Sequence, residues 1–352
     1  MNQVCRPPLK LGVFDHLDDG GGDLAQQYSD RLRIAEACDL AGFYAYHVAE
    51  HHGTPHGIAP SPNLFLSAMA QRTKNLRLGP LVMLLNLYHP LRAFEEVCML
   101  DQISGGRVEL GIGRGAVPLE SAFFGIAPEE IQDRYQEATV ILLKAMEGGA
   151  LTHHGRYFDL QDVPIALTPV QRPHPPLWYG TTSPESAAWA AAHRMNVVTY
   201  GPVSAVRSVT DAFRARGALR GRPQTEMPML GMVRPIVIAA TEKQALAVGA
   251  PAYAHWLETL TLLPRRSGSS IPSLPRTFSE AVEQGLCFAG TASSVQDAIL
   301  RQVDDAGVNY LLCQIAFGDL PIETTLSTVA AIEKVVMPAL GHEQARACSL
   351  FV

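Results

Sequence analysis

No run in the sequence approaches ~18 consecutive apolar residues, so no helical membrane span is expected. No basic block is present either. The formal net charge is -6, which leaves no electrostatic footprint for nucleic acid or an anionic membrane. The tryptophans and tyrosines do not interleave with basic residues, as a single-strand nucleic-acid binder would require. Cysteines stand at 5, 38, 98, 287, 313 and 348, and none forms a Cys-x-x-Cys pair. They read as reduced, buried thiols, and the expected compartment is the cytoplasm. The opening "MNQVCRPPLKLGVFDH" lacks the basic region and long apolar stretch of a secretory leader. A Gly-x-Ser-x-Gly elbow is missing, no cysteine has a nucleophile's context, and no internal repeat is visible.

What is present suits a large folded core: 47% of the residues are hydrophobic and 18% charged. Short apolar runs alternate with longer amphipathic ones. Eight strands are expected, at "LKLGVF", "FYAYHVA", "LRLGPLVML", "RVELGIG", "LWYG", "NVVTY", "MLGMVRPIVIA" and "NYLLCQIA", each followed by a helix. Pro90 sits in a first helical turn and Gly105-Gly106 end that helix. Two stretches break the pattern. Residues 151–176, rich in proline and turn residues, read as a hairpin and a linker. Residues 261–278, rich in proline and serine, read as an irregular lid or oligomer contact. The expected architecture is α/β, a single (β/α)8 barrel over residues 1–340 with insertions after the fourth and seventh pairs. Residues 341–352 form a tail. An open doubly wound sheet is the alternative.

Barrels carry their chemistry at the C-terminal ends of the strands. In "ELGIGRGAV" the glycines Gly111 and Gly113 with Ala116 match a dinucleotide fingerprint, but the run follows the fourth strand and opens no helix. Arg114 in that turn reads as an anion contact, or else as a surface arginine on a structural turn. In "YGTTSPES", Gly180, Thr181, Thr182, Ser183 and Ser186 surround a helix N-terminus, which suits a phosphate as well as an ordinary cap. In "VAEHHGTPHG" a carboxylate, Glu50, adjoins His51 and His52. A histidine placed by a neighbouring glutamate suits acid/base work, while the bland alternative is a pair bonded to backbone carbonyls. A metal is not expected. His47 with His51, and His52 with His56, have the spacing of helical ligands but stand at a strand end and in a Gly/Pro loop.

Taken together, "GFYAYHVAEHHG", "LRLGPLVMLLNLYHPLRAFEEVCMLDQISGGRVELGIGRG", "PVQRPHPPLWYG" and "SPESAAWAA" resemble the bacterial luciferase-like flavin monooxygenases, in the family's order and spacing over roughly residues 8 to 340. The resemblance implies a (β/α) barrel that uses reduced FMN, supplied by a separate NAD(P)H-dependent flavin reductase. It implies oxidation of a small, fairly apolar organic substrate by O2 through a flavin peroxy intermediate. It also implies a homodimer. Carried over, His51 is the catalytic histidine with Glu50 beside it. Leu81-Val82 stands where the family often has a non-proline cis peptide under the flavin ring. Arg114 takes the phosphate-binding position, Ser183 and Ser186 the phosphate-binding hydroxyls, and Tyr135 a flavin contact. Two departures stand out. Gly113 replaces the reactive cysteine of bacterial luciferase, and Ile131 replaces a histidine of the alkane and sulfonate branches. A deazaflavin-dependent hydride-transfer enzyme on the same fold and a non-catalytic FMN-binding protein remain alternatives. Phe14, Met83 and Leu84 are expected to form an apolar pocket beside the ring, or simply to be core.

Overall fold

The computed structural model describes residues 9–222, 227–269 and 273–340. The 341–352 tail and two of the cysteines, Cys5 and Cys348, lie outside the described residues. Nine parallel strands follow one another in a nearly closed barrel, wrapped by helices. In chain order the first elements are β1 (Lys10–Asp15), α1 (Leu24–Ala41), β2 (Ala45–Val48), α2 (Pro62–Arg72), β3 (Arg77–Pro80), β4 (Met83–Leu84), α3 (Pro90–Ser104), β5 (Leu110–Gly113), α4 (Pro118–Phe123) and α5 (Ile131–Met146). They continue with β6 (Ala150–His154), β7 (Asp159–Pro164), β8 (Leu177–Gly180), α6 (Pro184–Ala192), β9 (Asn196–Thr199), α7 (Val203–Ala218) and β10 (Leu230–Ile238). The last are α8 (Glu242–Ser267), α9 (Phe278–Glu283), β11 (Phe288–Gly290), α10 (Ala292–Ala306), β12 (Tyr310–Gln314) and α11 (Ile322–Ala331).

The parallel strands run in the order β3-β2-β1-β12-β10-β9-β8-β5-β4. They fill the eight expected barrel positions, because β3 and β4 are two pieces of one expected strand. The ring closes between β3 and the approach to β5: Leu78 N–H donates to Arg107 O at 3.0 Å, and Glu109 N–H donates to Leu78 O at 2.9 Å. Along β10 every residue is buried, as expected for strands covered on both faces. The expected strand 76–84 breaks after Pro80, which has no N–H for a ladder, and a cis Leu81–Val82 peptide separates β3 from β4.

Local chemistry fixes the helix ends. Asp23 caps α1 by accepting from Ala25 N–H at 3.0 Å, and Gly42 ends it with φ 81°. Pro90 opens α3 and Gly105, with φ 67°, closes it. The first insertion is the expected hairpin, β6 against β7, followed by a linker with a cis Arg172–Pro173 bond. The second differs from expectation. Residues 261–267 are helical, the last turns of α8, despite Pro251 and Pro264 inside that helix. Buried Thr261, Leu263 and Pro264 hold these turns onto the protein, and the hydroxyl of Thr261 bonds back to Leu257 O at 2.7 Å. Tertiary burial here outweighs the helix-breaking tendency of proline.

Three cores result. The largest lies between the strands and the helices, a second packs α8 and α9 around Tyr253, Trp256, Phe278 and Phe317, and the third fills the barrel with Leu81, Trp178, Val198, Val233, Tyr310 and Leu312. At the N-terminal end the interior is closed by Glu109. Its carboxylate accepts from Tyr44 Oη at 2.7 Å, from Trp178 Nε1 at 2.5 Å and from Arg77 Nε. No helix among the described residues is long and apolar enough to cross a membrane.

Candidate active site

The opposite, C-terminal end gathers the imidazoles. β1 runs out into His16 and Asp18, β2 into Glu50, His51 and His52, and the loop after β2 folds His56 back over His16. Ring centroids of His16 and His56 are 4.2 Å apart, those of His51 and His56 4.9 Å, and those of His16 and His51 5.7 Å. Helix α8 lies against this group, with Trp256 6.4 Å from both His16 and His56. Carboxylates orient two of the rings. His56 Nδ1 is 2.9 Å from Asp18 Oδ1, and His51 Nδ1 is 3.1 Å from Glu120 Oε1. Glu120, on α4, also accepts from His52 N–H at 2.8 Å.

The glutamate that orients His51 is therefore Glu120 and not its neighbour Glu50. Glu50 turns the other way, to His52 Nε2 at 2.9 Å and to Leu84 N–H at 3.1 Å. Successive residues after a strand point to opposite sides, so adjacency in sequence separated the two groups. Burial raises the Glu50 carboxyl, against the opposing effect of its bonds to His52 and Leu84. Burial drives His16 and His56 well below the ordinary imidazole value, and the neighbouring imidazoles act in the same direction. His51 keeps about a fifth of its side chain exposed, 21%, and so faces the mouth.

Beside the histidines run Leu81 and Val82, and here glycine is indispensable. A Cβ on Gly113 would lie 2.5 Å from Val82 Cγ2, and one on Gly111 would lie 2.4 Å from Pro80 O. These two glycines admit the chain on either side of the cis bond; they are not simply the tight turn expected from sequence. Leu81 and Leu84 are buried, Met83 is fully buried in the outer core, and only Phe14 of the expected apolar group stands next to a site imidazole, 4.7 Å from His16.

The third part of the mouth is open. Arg114 is exposed and makes no ion pair or hydrogen bond among the described residues. It borders a pocket of about 180 Å³ with Gly115, Ala116, Pro118, Pro128 and Ile131. One turn along α5 from Ile131, Tyr135 is buried with its hydroxyl lacking a partner, and burial raises its phenol. The pairing of Gly111 with Trp178 sets the turns after β5 and β8 side by side. None of residues 180–186 lines the Arg114 pocket, however. Thr181 Oγ1 accepts from Ser183 N–H at 3.0 Å, and Ser183 Oγ accepts from Ser186 N–H at 3.3 Å, so Ser183 is a working N-cap of α6. Thr182 is exposed, and Gly180 has no neighbour within 3.8 Å of a Cβ position.

Sequence reasoning missed His16, Asp18, His56 and Glu120 as members of the site. The strand-end rule, applied to "GVFDHLD", finds His16 and Asp18. Glu120 carried no signal, because α4 lies in a stretch that reads as loop.

A parallel barrel with oriented imidazoles and a free guanidinium at its C-terminal mouth is the architecture of a barrel enzyme. Comparison with known proteins fixes which kind. The model of the luciferase-like monooxygenases matches residues 9–310, and the chain belongs to that family. It is an oxidoreductase with a luciferase-like barrel. It is 52% identical to the uncharacterized protein y4wF of Sinorhizobium fredii (strain NBRC 101917 / NGR234), over 97% of this chain and 100% of the relative. It is 28% identical to the oxygenase component of flavin-dependent trigonelline monooxygenase of Acinetobacter baylyi, over 54% of this chain and 53% of that one. Among solved structures, monooxygenase RslO1 from Streptomyces bottropensis superposes with TM-score 0.85 at 25% identity, covering 94% of this chain and 99% of its own. The oxygenating constituent of 3,6-diketocamphane monooxygenase from Pseudomonas putida, in complex with FMN, gives 0.77 at 21% identity over 94% and 99%. The same fold occurs in a coenzyme F420-dependent reductase from Methanopyrus kandleri, at 0.72 and 16% over 95% and 100%.

Proposed function

We propose that this enzyme uses reduced FMN and O2 to oxidise a small, fairly apolar organic molecule. The FMN is supplied by a separate NAD(P)H-dependent flavin reductase, as the oxygenase component named among its relatives suggests. The carrying observation is the division of the mouth into Arg114, without a counter-ion among the described residues, on one side and an oriented, partly exposed His51 on the other. A flavin phosphate suits Arg114, because a dianion provides the counter-charge that no described residue supplies. The unpartnered Tyr135 hydroxyl and the Leu81–Val82 segment would supply further contacts, with Gly113, Gly180, Thr181, Thr182, Ser183 and Ser186 at the ends of the adjacent strands β5 and β8. Thr182 and the helix N-terminus behind Ser183 add donors for the phosphate. Bound in its reduced form, the flavin supplies the electrons that activate dioxygen.

The chain's own residues then manage protons and water. Glu120 holds His51 by Nδ1, which leaves Nε2 as the nitrogen that gives or takes a proton. Glu50 acts one step back, by fixing His52 and the backbone at Leu84. Phe14 and Trp256 keep water from the ring group. A homodimer completes the proposal; Leu64 on α2 with Met99 and Ile103 on α3 are exposed apolar side chains available to a second copy. A deazaflavin is the second reading, favoured by the openness of the Arg114 turn and by the F420-dependent neighbour.

The test is an anaerobic titration of the protein with reduced FMN, reduced riboflavin and a reduced deazaflavin, followed by mixing with oxygenated buffer and a panel of apolar substrates. Tight FMN binding with product formation is expected. Arg114→Ala should weaken FMN about tenfold or more and leave riboflavin unchanged, since only FMN carries the phosphate. Equal losses would remove Arg114 from the phosphate site. Binding of the deazaflavin alone would replace FMN, and flavin binding without turnover on any substrate would favour a storage protein.

A further inference from the structure

We propose that His16, His51 and His56 form a binding site for a divalent transition-metal ion of the zinc class. One ring nitrogen of each lies within 4.8 Å of one from each of the others. The identity of those nitrogens follows from what the rings already hold. His56 gives Nδ1 to Asp18 and His51 gives Nδ1 to Glu120, so each has Nε2 to offer. His56 Nε2 is buried and has no hydrogen-bond partner among the described residues, which is a costly state for an imidazole nitrogen. His16 has its Nδ1 3.4 Å from the side-chain amide of Gln314. Three imidazoles with two carboxylates behind them, and one edge open to the mouth, is the donor set of a zinc ion that keeps a position for water.

Geometry points the same way: the His16 and His56 rings lie 4.2 Å apart, centroid to centroid, and both are buried. A tetrahedral ion with Zn–N bonds of ~2.1 Å needs nitrogens about 3.4 Å apart, so the rings close in by roughly an ångström on loading. His47 and His52 are not part of this three-histidine group; His52 Nε2 is engaged by Glu50, and His47 Nε2 by Tyr310 Oη at 3.0 Å. A metal here occupies the nitrogen of His51 that the proposed oxidation needs, so metal and turnover should exclude one another. The metal site itself does not rest on the flavin reading.

The test uses the full chain, stripped with a chelator and free of flavin, titrated with Co2+ while ligand-field absorption is recorded. Zn2+ is then titrated in competition with a chromogenic chelator. One ion per chain at micromolar affinity or tighter is expected. His56→Asn and the less buried His51→Asn should each lose at least about tenfold, and Asp18→Asn, which acts through His56, about 10- to 100-fold. Thermal melting of each variant separates lost ligation from lost folding, and the partly exposed His51 position is the variant expected to fold normally. Failure of the wild type to bind stoichiometric Co2+ or Zn2+ would overturn the site. So would unchanged affinity in a folded His51→Asn, which would assign the ion to surface histidines such as His153 and His154. Flavin fluorescence on the same samples keeps the two proposals apart: lost metal binding with intact flavin binding sinks only the metal site.

Discussion

The two ends of the barrel bury polar groups in opposite ways. At the N-terminal end Glu109 is fully buried, and both carboxylate oxygens are used, one by Tyr44 and Arg77 and the other by Trp178. At the mouth, His56 is equally enclosed yet has an unpartnered Nε2, Tyr135 has an unpartnered hydroxyl, and Arg114 has no counter-ion among the described residues. A satisfied network holds structure in place, whereas unpartnered groups that gather at a barrel mouth are where a ligand can complete them; His47 Nδ1, inside the barrel, is also unpartnered. The barrel thus separates stability from chemistry along its own axis.

The sharpest test of that division is His51→Ala. Product formation should fall by about 10²- to 10⁴-fold while FMN affinity is kept, because a proton carrier is lost and a phosphate contact is not. The measurement is product formed per flavin reoxidised, and normal coupling in the variant would remove chemistry from the mouth. At the other end, Glu109→Gln should lower stability by about 3 kcal/mol in urea unfolding, since Arg77, Tyr44 and Trp178 lose a buried anionic partner. The folded fraction should retain its activity; a large loss of turnover per folded molecule would break the comparison.

A third expectation concerns acid. His47, inside the barrel, is fully buried, and burial lowers it to about 3. Above the unfolded value near 6.5 both states are neutral and this group contributes nothing to the pH dependence. Below it the unfolded chain takes a proton that the folded chain refuses, so stability falls as pH drops, by about 2 kcal/mol between pH 6.5 and 5. His16 and His56 act in the same direction. Asp15, Asp18 and Glu50, all raised by burial, act in the opposite one, because they accept protons in the folded state first. Unfolding curves at the two pH values, with His47→Asn as reference, isolate the interior contribution. A wild type equally stable at both would mean that the carboxyls offset the histidines, and one more stable at pH 5 would assign the larger share to the carboxyls.

The smallest effect contrasts two glycines at the mouth. Gly113→Ala places a methyl 2.5 Å from Val82 Cγ2 and should cost about 2 kcal/mol. Gly180→Ala meets only Val198 Cγ1 at 3.9 Å and should stay within about 0.5 kcal/mol. A pair of thermal melts decides, and equal shifts would mean that the segment at Val82 yields freely.

Much of this was legible in the chain. Alternation of short apolar and amphipathic runs suffices for a barrel, because strands covered on both faces are largely apolar, and β9 and β10 are buried along their whole length. The hairpin at 150–164 could be read from its turn residues. The helical end of α8 could not, because Pro264 argues locally against a helix that burial of Leu263 then stabilises.

Periodicity and motif order are local properties of a chain, and they were enough for the barrel, the family and the positions where strands end. Which side chains meet there follows from folding alone. Glu50 adjoins His51 in sequence but serves His52, while Glu120 orients His51 across the mouth, and His16 and Asp18 arrive from a different strand to meet His56. The physical reason is that hydrogen bonds and ion pairs require nitrogens and oxygens about 3 Å apart. Closing the barrel brings together residues that covalent order keeps far from one another.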